Sequence, residues 1–426
     1  MNVEITPCAL GGTIPAISSK SDAHRLLIAA ALADEPTVLS CNVLSDDIRA
    51  TAECLCALGA HVEYGENQMT VTPIGKSTAE QKVQLDCGES GSTLRFLLPV
   101  VSALGKNGVF SGHGRLPERP VTDLRNAMAE HGVTFSPPWV FPIETAGKLS
   151  AGKFTLKGNV SSQYVTGLLF ALPLLSGDSE IELLPPVESK AYIDMTLSTL
   201  QTFGISVEAS ENIYKIRGGQ TYKSPETVTV DGDWSNAAFF LTAGALGAPV
   251  TVTGLKLCSV QGDKAILDIL RQMGAHIEVQ GDAVTVSPAP LHGVSIDASG
   301  IPDLVPILSV AAAACETGVT TFTNAARLRI KECDRLAAIN ECLTNMGVVC
   351  AETDDGLVVW GGEGIRGGNV FSFNDHRMVM SMAIAATAAR ESTTVREAQA
   401  VKKSYPHFFA DFEKLGGKAN VLDIDG

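Results

Sequence analysis

The stretch Arg327-Leu-Arg-Ile-Lys-Glu-Cys-Asp-Arg335 packs six charges into nine residues of a chain that is otherwise 45% hydrophobic. It lies between an apolar, β-prone segment, Val319 to Phe322, and Leu336, Ile339, Leu343 and Met346, which recur at the spacing of one helix face. The spacing predicts that the stretch is a helix start. Unpaired backbone N–H groups and the positive end of the helix dipole favour an anion there, and Lys331 and Arg335, four apart, would share one face with Glu332 pointing elsewhere. A carboxylate among cations either neutralises them or serves as a proton donor whose pKa the surroundings set. A charge run met alone is more often a solvated, salt-bridged helix start. Recurrence of similar residues at equivalent places shifts the balance towards chemistry.

Those places are other predicted helix starts. Lys20, Ser21 and Arg25 open one helix; Lys20 and Arg25 are too far apart for one simple face but line the same end. Arg119 lies in Pro117-Glu-Arg-Pro120, where the prolines fix its approach to the next helix, although an arginine there is ordinarily a surface residue. Ser161-Ser162-Gln163 reads as an N-cap with helix-start polarity. Asp303, after Pro302 in an apolar segment, is either a cap or a buried base. His376 and Arg377 sit between Phe371-Ser-Phe and Met378-Val-Met, an awkward place to bury charge without a ligand. Lys402-Lys403 precede Tyr405-Pro-His, again at a helix start.

The positioning elements emerge from an internal repeat. A helical pattern that ends in glycine and is followed by a strand recurs at Gly59, Gly132, Gly204, Gly274, Gly347 and Gly416, at spacings of 73, 72, 70, 73 and 69 residues. Each glycine suits a left-handed helix terminus. A strand, a turn and another strand follow, as in His61-Val-Glu-Tyr with Met69-Thr-Val-Thr. A further helix opens roughly forty residues before each glycine, within the repeat period. The starts are Lys20-Ser21, Ser90-Gly91-Ser92, Ser161-Ser162-Gln163, Trp234-Ser235-Asn236, Pro302-Asp303 and Asn374-Asp375-His376-Arg377. The reading is an α/β (α+β) chain of six βαβαββ repeats, three per domain, with a boundary near Val230 to Asp233. The strand Val3 to Ile5 precedes the first repeat, and either domain could take it.

Composition limits the partners. A net charge of −15 without a long basic run argues against nucleic acid binding by bulk electrostatics, so any anion must be met by local cations. The ten cysteines form no C-x-x-C pair and no zinc-spaced cluster, and are expected to be reduced core thiols. Apolar runs such as Leu168 to Leu175 are too short to span a bilayer, and the start of the chain has no secretory pattern, so a soluble, cytoplasmic protein is expected. Gly362-Glu-Gly-Ile-Arg-Gly367 fits G-x-G-x-x-G but joins strand to strand, and is expected to be a turn.

Several motifs, in order, resemble the 5-enolpyruvylshikimate-3-phosphate (EPSP) synthase family of enolpyruvyl transferases. They are Ser19-Lys20-Ser21 with Arg25, Gly91 with Arg95, Pro117-Glu-Arg-Pro120, Ser161-Ser-Gln163 and Ser189-Lys-Ala-Tyr-Ile-Asp194, then Pro302-Asp303, Lys331-Glu-Cys-Asp-Arg335, Asn374-Asp-His-Arg377 and Lys403-Ser-Tyr-Pro406. The resemblance implies a two-domain, inside-out α/β barrel-like fold, with residues 19–230 as one domain and 1–18 plus 231–426 as the other, closing on ligand. It implies transfer of the enolpyruvyl group of phosphoenolpyruvate to the 5-hydroxyl of shikimate 3-phosphate, without metal or organic cofactor, in chorismate biosynthesis. It further implies a monomer inhibited by glyphosate.

Carried over by motif, Lys20, Ser21, Arg25, Ser161, Ser162, Gln163, Ser189, Tyr192, Asp303 and Lys331 would hold shikimate 3-phosphate. Lys20, Gly91, Arg119, Gln163, Arg335, Arg377 and Lys403 would hold phosphoenolpyruvate. Asp303 resembles the base that deprotonates the attacking hydroxyl and Glu332 the acid that protonates the methylene carbon, with Lys20 and His376 assisting proton traffic. The chain departs from the family in having Ile17-Ser18 for Pro-Gly before Ser-Lys-Ser, and Glu89 and Ser92 where Asn and Thr are usual. Two rival readings are a transferase acting on UDP-N-acetylglucosamine and a non-enzymatic repeat scaffold that binds phosphorylated metabolites. The first typically carries a cysteine in the loop Gly112-His-Gly-Arg-Leu116, which has none. The second would tolerate loss of Asp303 and Glu332.

Overall fold

All six helix-ending glycines have positive φ, from 74° at Gly204 to 109° at Gly274, the region that costs any other residue steric strain. The repeat therefore survives in the backbone of the computed structural model, which describes residues 1–75, 82–137 and 141–422.

Strands β1 (Asn2–Thr6) and β2 (Gly12–Pro15) come first. The first repeat is α1 (Lys20–Leu32), β3 (Thr37–Ser40), α2 (Asp46–Ala57), the hairpin β4 (His61–Gly65) and β5 (Gln68–Thr72), and β6 (Lys82–Asp86). The second is α3 (Gly91–Ala103), β7 (Asn107–Ser111), α4 (Thr122–Glu130), β8 (Thr134–Phe135), β9 (Ile143–Ala146) and β10 (Lys153–Lys157). The third is α5 (Ser162–Ala171), β11 (Ser179–Leu184), α6 (Lys190–Thr202), β12 (Val207–Ser210), β13 (Ile213–Ile216) and β14 (Thr227–Thr229). The fourth is α7 (Trp234–Leu246), β15 (Val250–Thr253), α8 (Ile266–Met273), β16 (His276–Gln280), β17 (Ala283–Ser287) and β18 (Ser295–Asp297). The fifth is α9 (Val305–Ala313), β19 (Val319–Thr323), α10 (Arg335–Asn345), β20 (Cys350–Glu352), β21 (Leu357–Trp360) and β22 (Gly368–Phe371). The last is α11 (His376–Thr387), β23 (Thr393–Arg396), α12 (Phe408–Lys414) and β24 (Lys418–Leu422).

Among the described residues the strands form six four-stranded sheets of one pattern, in which the linking strand lies parallel to the next strand, as β6 does to β7, and the hairpin completes the sheet. Three sheets are filled from elsewhere in the chain, one of them by β2, which lies parallel to β15 in the sheet of the fourth repeat. β14 lies parallel to β3 and supplies the strand that the first repeat lacks. β1 pairs antiparallel with both β23 and β24, taking the place of the missing second hairpin strand of the last repeat.

The first helix of each repeat is apolar around most of its circumference and so cannot remain at a surface. α9 is buried along its whole length, and α11 from His376 to Ala386. The second helices bury one stripe, as α8 does with Ile266, Leu267, Ile269, Leu270 and Met273. The chain divides into a continuous unit, Lys20–Val230, and a discontinuous one, Met1–Ser19 with Asp231–Gly426. In the latter the outgoing and returning segments are tied by Ser19 N donating to Asp231 O at 2.7 Å and by a bridge of Ser18 with Gly232.

The ten cysteines are free thiols. Six are buried, whereas Cys56 and Cys258 are exposed and Cys8 and Cys350 partly so, which corrects the expectation that all lie in the core. Gly362 to Gly367 is the turn between β21 and β22.

Candidate active site

In the continuous unit three helix starts meet. Ser90 caps α3 by accepting from Thr93 N, and Ser161 caps α5 by accepting from Gln163 N. The Gln163 side chain then bonds Ser92 Oγ (3.0 Å) and Arg95 Nη1 (2.6 Å), so the ends of α3 and α5 are locked together. Arg25, on α1, donates to the carbonyls of Ser21 (2.6 Å) and Tyr192 (2.9 Å) and to Thr196 Oγ1 (2.9 Å), with a longer contact to Thr166 (3.4 Å). Burial lowers its pKa to about 10, and its guanidinium lies over the Phe96 ring. With most of its donors engaged, Arg25 fixes where Ser21 and Tyr192 stand. Ser189 opens α6 from a left-handed backbone conformation, φ 53°.

Lys20 pairs with Asp47 at 2.9 Å, both side chains mostly sheltered. Arg119 is buried, not an ordinary surface arginine, and lies against Gly91: a Cβ on that glycine would stand 2.8 Å from its guanidinium. The glycine thus makes room for a cation at the start of α3, where the dipole already favours an anion. Glu89 lies against Gly114, so closely that a side chain at that glycine would collide with the carboxylate.

The discontinuous unit is built alike, because α7, α9 and α11 pack on one another and bring their starts together. Asp303 is not a helix cap. Its Oδ1 accepts from Arg335 Nη1 (2.8 Å) and its Oδ2 from Arg377 Nη2 (3.1 Å), and Lys331 Nζ stands 3.8 Å away. Burial alone would raise its pKa, but Arg377, Lys331 and Arg335 outweigh that and hold it well below the usual carboxylate range.

The charge run differs from the expected helix. α10 begins only at Arg335, capped by Asp334; Ala326–Ile330 is a 3-10 turn and Lys331 is extended. Asp334 stops the helix from starting earlier by accepting from Ala337 N at 3.1 Å. Lys331 and Arg335 therefore share a carboxylate, Asp303, and not a helix face. Glu332 does not point elsewhere either, since its Oε2 accepts from Arg335 Nη2 at 2.8 Å. Arg329, by contrast, is spent on Asp334, Glu352 and the Thr353 carbonyl.

Arg335 is the hub. Only 1% of its side chain is exposed, and its Nε bonds the fully buried Asp375 at 2.8 Å. Burial opposes its charge, but Asp375, Glu332 and Asp303 more than compensate and raise its pKa well above that of a free arginine. Asp375 also caps α11 by accepting from Arg377 N at 2.8 Å. Burial pushes Lys331 down to about 8, more than Asp303 and Glu332 pull it back. His376 is buried with Nδ1 3.8 Å from Asp375. Lys403 closes a 3-10 turn and does not start a helix, and its Nζ donates to the Asn374 carbonyl at 2.5 Å.

The sequence reading gave no role to Asp375, Asp47 or Asp263. Asp375 stands at an N-cap position before an apolar helix and was detectable on that ground. The other two are recognisable only through long-range contacts. Among the described residues no group of three or more His, Cys, Asp or Glu side chains is placed to hold a metal ion, and no helix is long and apolar enough to cross a membrane.

Residues 6–412 match the profile of EPSP synthase (3-phosphoshikimate 1-carboxyvinyltransferase). The chain belongs to the EPSP synthase family. A 3-phosphoshikimate 1-carboxyvinyltransferase of Clostridium novyi (strain NT) is 43% identical over 98% of both chains. Another, from Clostridioides difficile (strain 630), is 40% identical over 99% of both. The fold is shared with EPSP synthase from Acinetobacter baumannii (TM-score 0.82, 24% identity, 99% of this chain and 100% of that one). It is shared too with the enolpyruvyl transferase NikO from Streptomyces tendae (TM-score 0.79, 22% identity, 98% of each chain). The family makes this chain a transferase.

Proposed function

We propose that the protein transfers the carboxyvinyl group of phosphoenolpyruvate to the 5-hydroxyl of shikimate 3-phosphate and releases phosphate. The observation that carries this reading is the cluster of Asp303 and Glu332 around Arg335, with Arg377 and Lys331 on the same Asp303 carboxylate. Two substrates with phosphate and carboxylate groups need cations of this number, and the reaction needs one proton removed and one delivered.

Arg335, Arg377, Lys403, Arg119, Gln163, Gly91 and Lys20 would hold phosphoenolpyruvate. Lys331, Asp303, Ser21, Arg25, Ser161, Ser162, Gln163, Ser189, Tyr192 and Lys20 would hold shikimate 3-phosphate. Glu332 protonates the methylene carbon, the neighbouring carbon becomes electrophilic, and Asp303 takes the hydroxyl proton as the new C–O bond forms. Loss of phosphate and return of a proton to Glu332 restore the double bond, with Lys20 and His376 assisting.

Before substrate binds, Asp303 is a poor base, because three cations stabilise its charge. Those are the cations assigned to the substrate anions. As Arg335, Arg377 and Lys331 turn to incoming phosphate and carboxylate groups, Asp303 loses their stabilisation and gains basicity. The base is therefore armed by the substrates.

The reading places the enzyme in the cytoplasm as a monomer, with glyphosate competing as an inhibitor. A phosphate-release assay tests the main claim: release should need both substrates together, and release from phosphoenolpyruvate alone at the same rate would refute it.

A further inference from the structure

Arg119 reaches the start of α3 from the end of a 3-10 turn, Leu116–Glu118, and not from a helix or strand. Its N–H donates to the Leu116 carbonyl at 3.2 Å, and its backbone is extended, ψ 135°, as a residue before proline prefers. Pro117 and Glu118 beside it are exposed. A turn so placed needs a tether if the guanidinium is to stay against Gly91.

The tether is the carbonyl of Pro120. Tyr164, on α5, donates its hydroxyl to that oxygen at 2.6 Å, and Arg95, on α3, donates Nη2 to it at 2.9 Å. A carbonyl oxygen has two lone pairs, so both are used and its direction is fixed. The donors also support each other, because the Arg95 guanidinium lies over the Tyr164 ring, 5.6 Å from its centre. Both residues are buried. Gly167 lets α3 and α5 approach closely enough for this, since a Cβ there would collide with the Arg95 carbonyl. Burial raises the pKa of Tyr164, so its phenol stays a donor. Arg95 spends Nη1 on Gln163 Oε1, and one Nε2 hydrogen of Gln163 goes to Ser92. The second Nε2 hydrogen is left over, which is the polarity an anion requires.

We propose that Tyr164 is a positioning residue for phosphoenolpyruvate, which together with Arg95 grips the Pro120 carbonyl and so holds the Arg119 guanidinium at the start of α3. Tyr164 acts through Pro120 on Arg119 and touches no substrate itself. This rests on Arg119 binding phosphoenolpyruvate, as in the reading above.

Tyr164→Phe removes the hydroxyl and keeps the ring under Arg95. KM for phosphoenolpyruvate should rise about five- to tenfold, the effect of one lost hydrogen bond, with KM for shikimate 3-phosphate and kcat unchanged. Partial unfolding would not imitate this result, since an inactive fraction lowers kcat and leaves KM alone. An unchanged KM for phosphoenolpyruvate overturns the proposal. Parallel rises in both KM values, the sign of a generally loosened unit, overturn it as well.

A double-mutant cycle with Arg119→Ala tests the route. If Tyr164 works through Arg119, Tyr164→Phe should change the KM of the Arg119→Ala protein by less than about twofold. A full further rise in that background would show that Tyr164 reaches the site without Arg119, and overturns the proposal. Arg119→Ala with a normal KM for phosphoenolpyruvate would instead sink the assignment of Arg119 in the functional reading. A raised KM in Arg119→Ala beside a normal one in Tyr164→Phe would sink the positioning role alone.

Discussion

Arg335 Nη1 lies 2.8 Å from Asp303 Oδ1, so the residue expected to bind an anionic substrate is engaged by the residue expected to act as base. The guanidinium does not depend on that contact for its place, because Asp375 holds its Nε from the other side.

The Arg335–Asp375 pair should be the most sensitive ionic contact in the discontinuous unit. Arg335→Met would leave Asp375 charged and buried with its main counter-ion gone, which typically costs about 3–5 kcal/mol. Urea unfolding should show the midpoint falling with an unchanged m-value for that transition. A loss below 1 kcal/mol would mean that Asp375 is satisfied without Arg335.

Glu332→Gln and Asp303→Asn should each lower kcat by about 10²–10⁴-fold, the usual contribution of a positioned acid or base. Shikimate 3-phosphate affinity, measured by calorimetry, should be largely retained. Near-normal kcat in both would show that neither carboxylate moves a proton.

Lys331 sets an alkaline limit. Its folded-state pKa is depressed to about 8, so the folded protein holds the charged form at a penalty below that pH and sheds it as pH rises beyond. Affinity for shikimate 3-phosphate should then weaken above pH 8, by at most about tenfold per unit for one proton. Lys331→Arg should stay charged and remove that dependence. Equal affinities at pH 7 and pH 9.5 in the wild type would assign the phosphate to other donors.

Gly91→Ala should displace Arg119, because the added carbon would stand 2.8 Å from its guanidinium. Such a shift would raise KM for phosphoenolpyruvate, by up to about a hundredfold for a misplacement of 1 Å, and leave KM for shikimate 3-phosphate nearly unchanged. Parallel rises in both would place Arg119 elsewhere in the reaction.

The repeat was legible because its signals are local. A glycine at a left-handed helix end, a serine or aspartate cap and an apolar run each act within a few residues, so Gly59 to Gly416 and the starts at Ser90 and Ser161 follow from short-range rules. The direction of Glu332 was not legible. It depends on Asp334, and not a residue earlier in the run, capping α10, and on Arg335 being held by Asp375 forty positions away. Asp263 was hidden for the same reason, since its hydrogen-bond partner Ser235 lies 28 positions away on α7. The partners of β1 are settled only by strands at the other end of the chain.

That pairing has a consequence for biogenesis. β1 leaves the ribosome well before β23 and β24, the neighbours it needs, with Val3 opposite Val395 and Val421. At about 5–20 residues per second the wait is roughly 20–80 s. Throughout it the opening segment is an unmatched edge, while Lys20–Val230, which owns all the strands of its three sheets, can settle behind it. A nascent chain stalled just short of Thr393 should therefore expose β1, and with it β22, as orphan strands after Lys20–Val230 is finished, which makes them a natural handle for a chaperone.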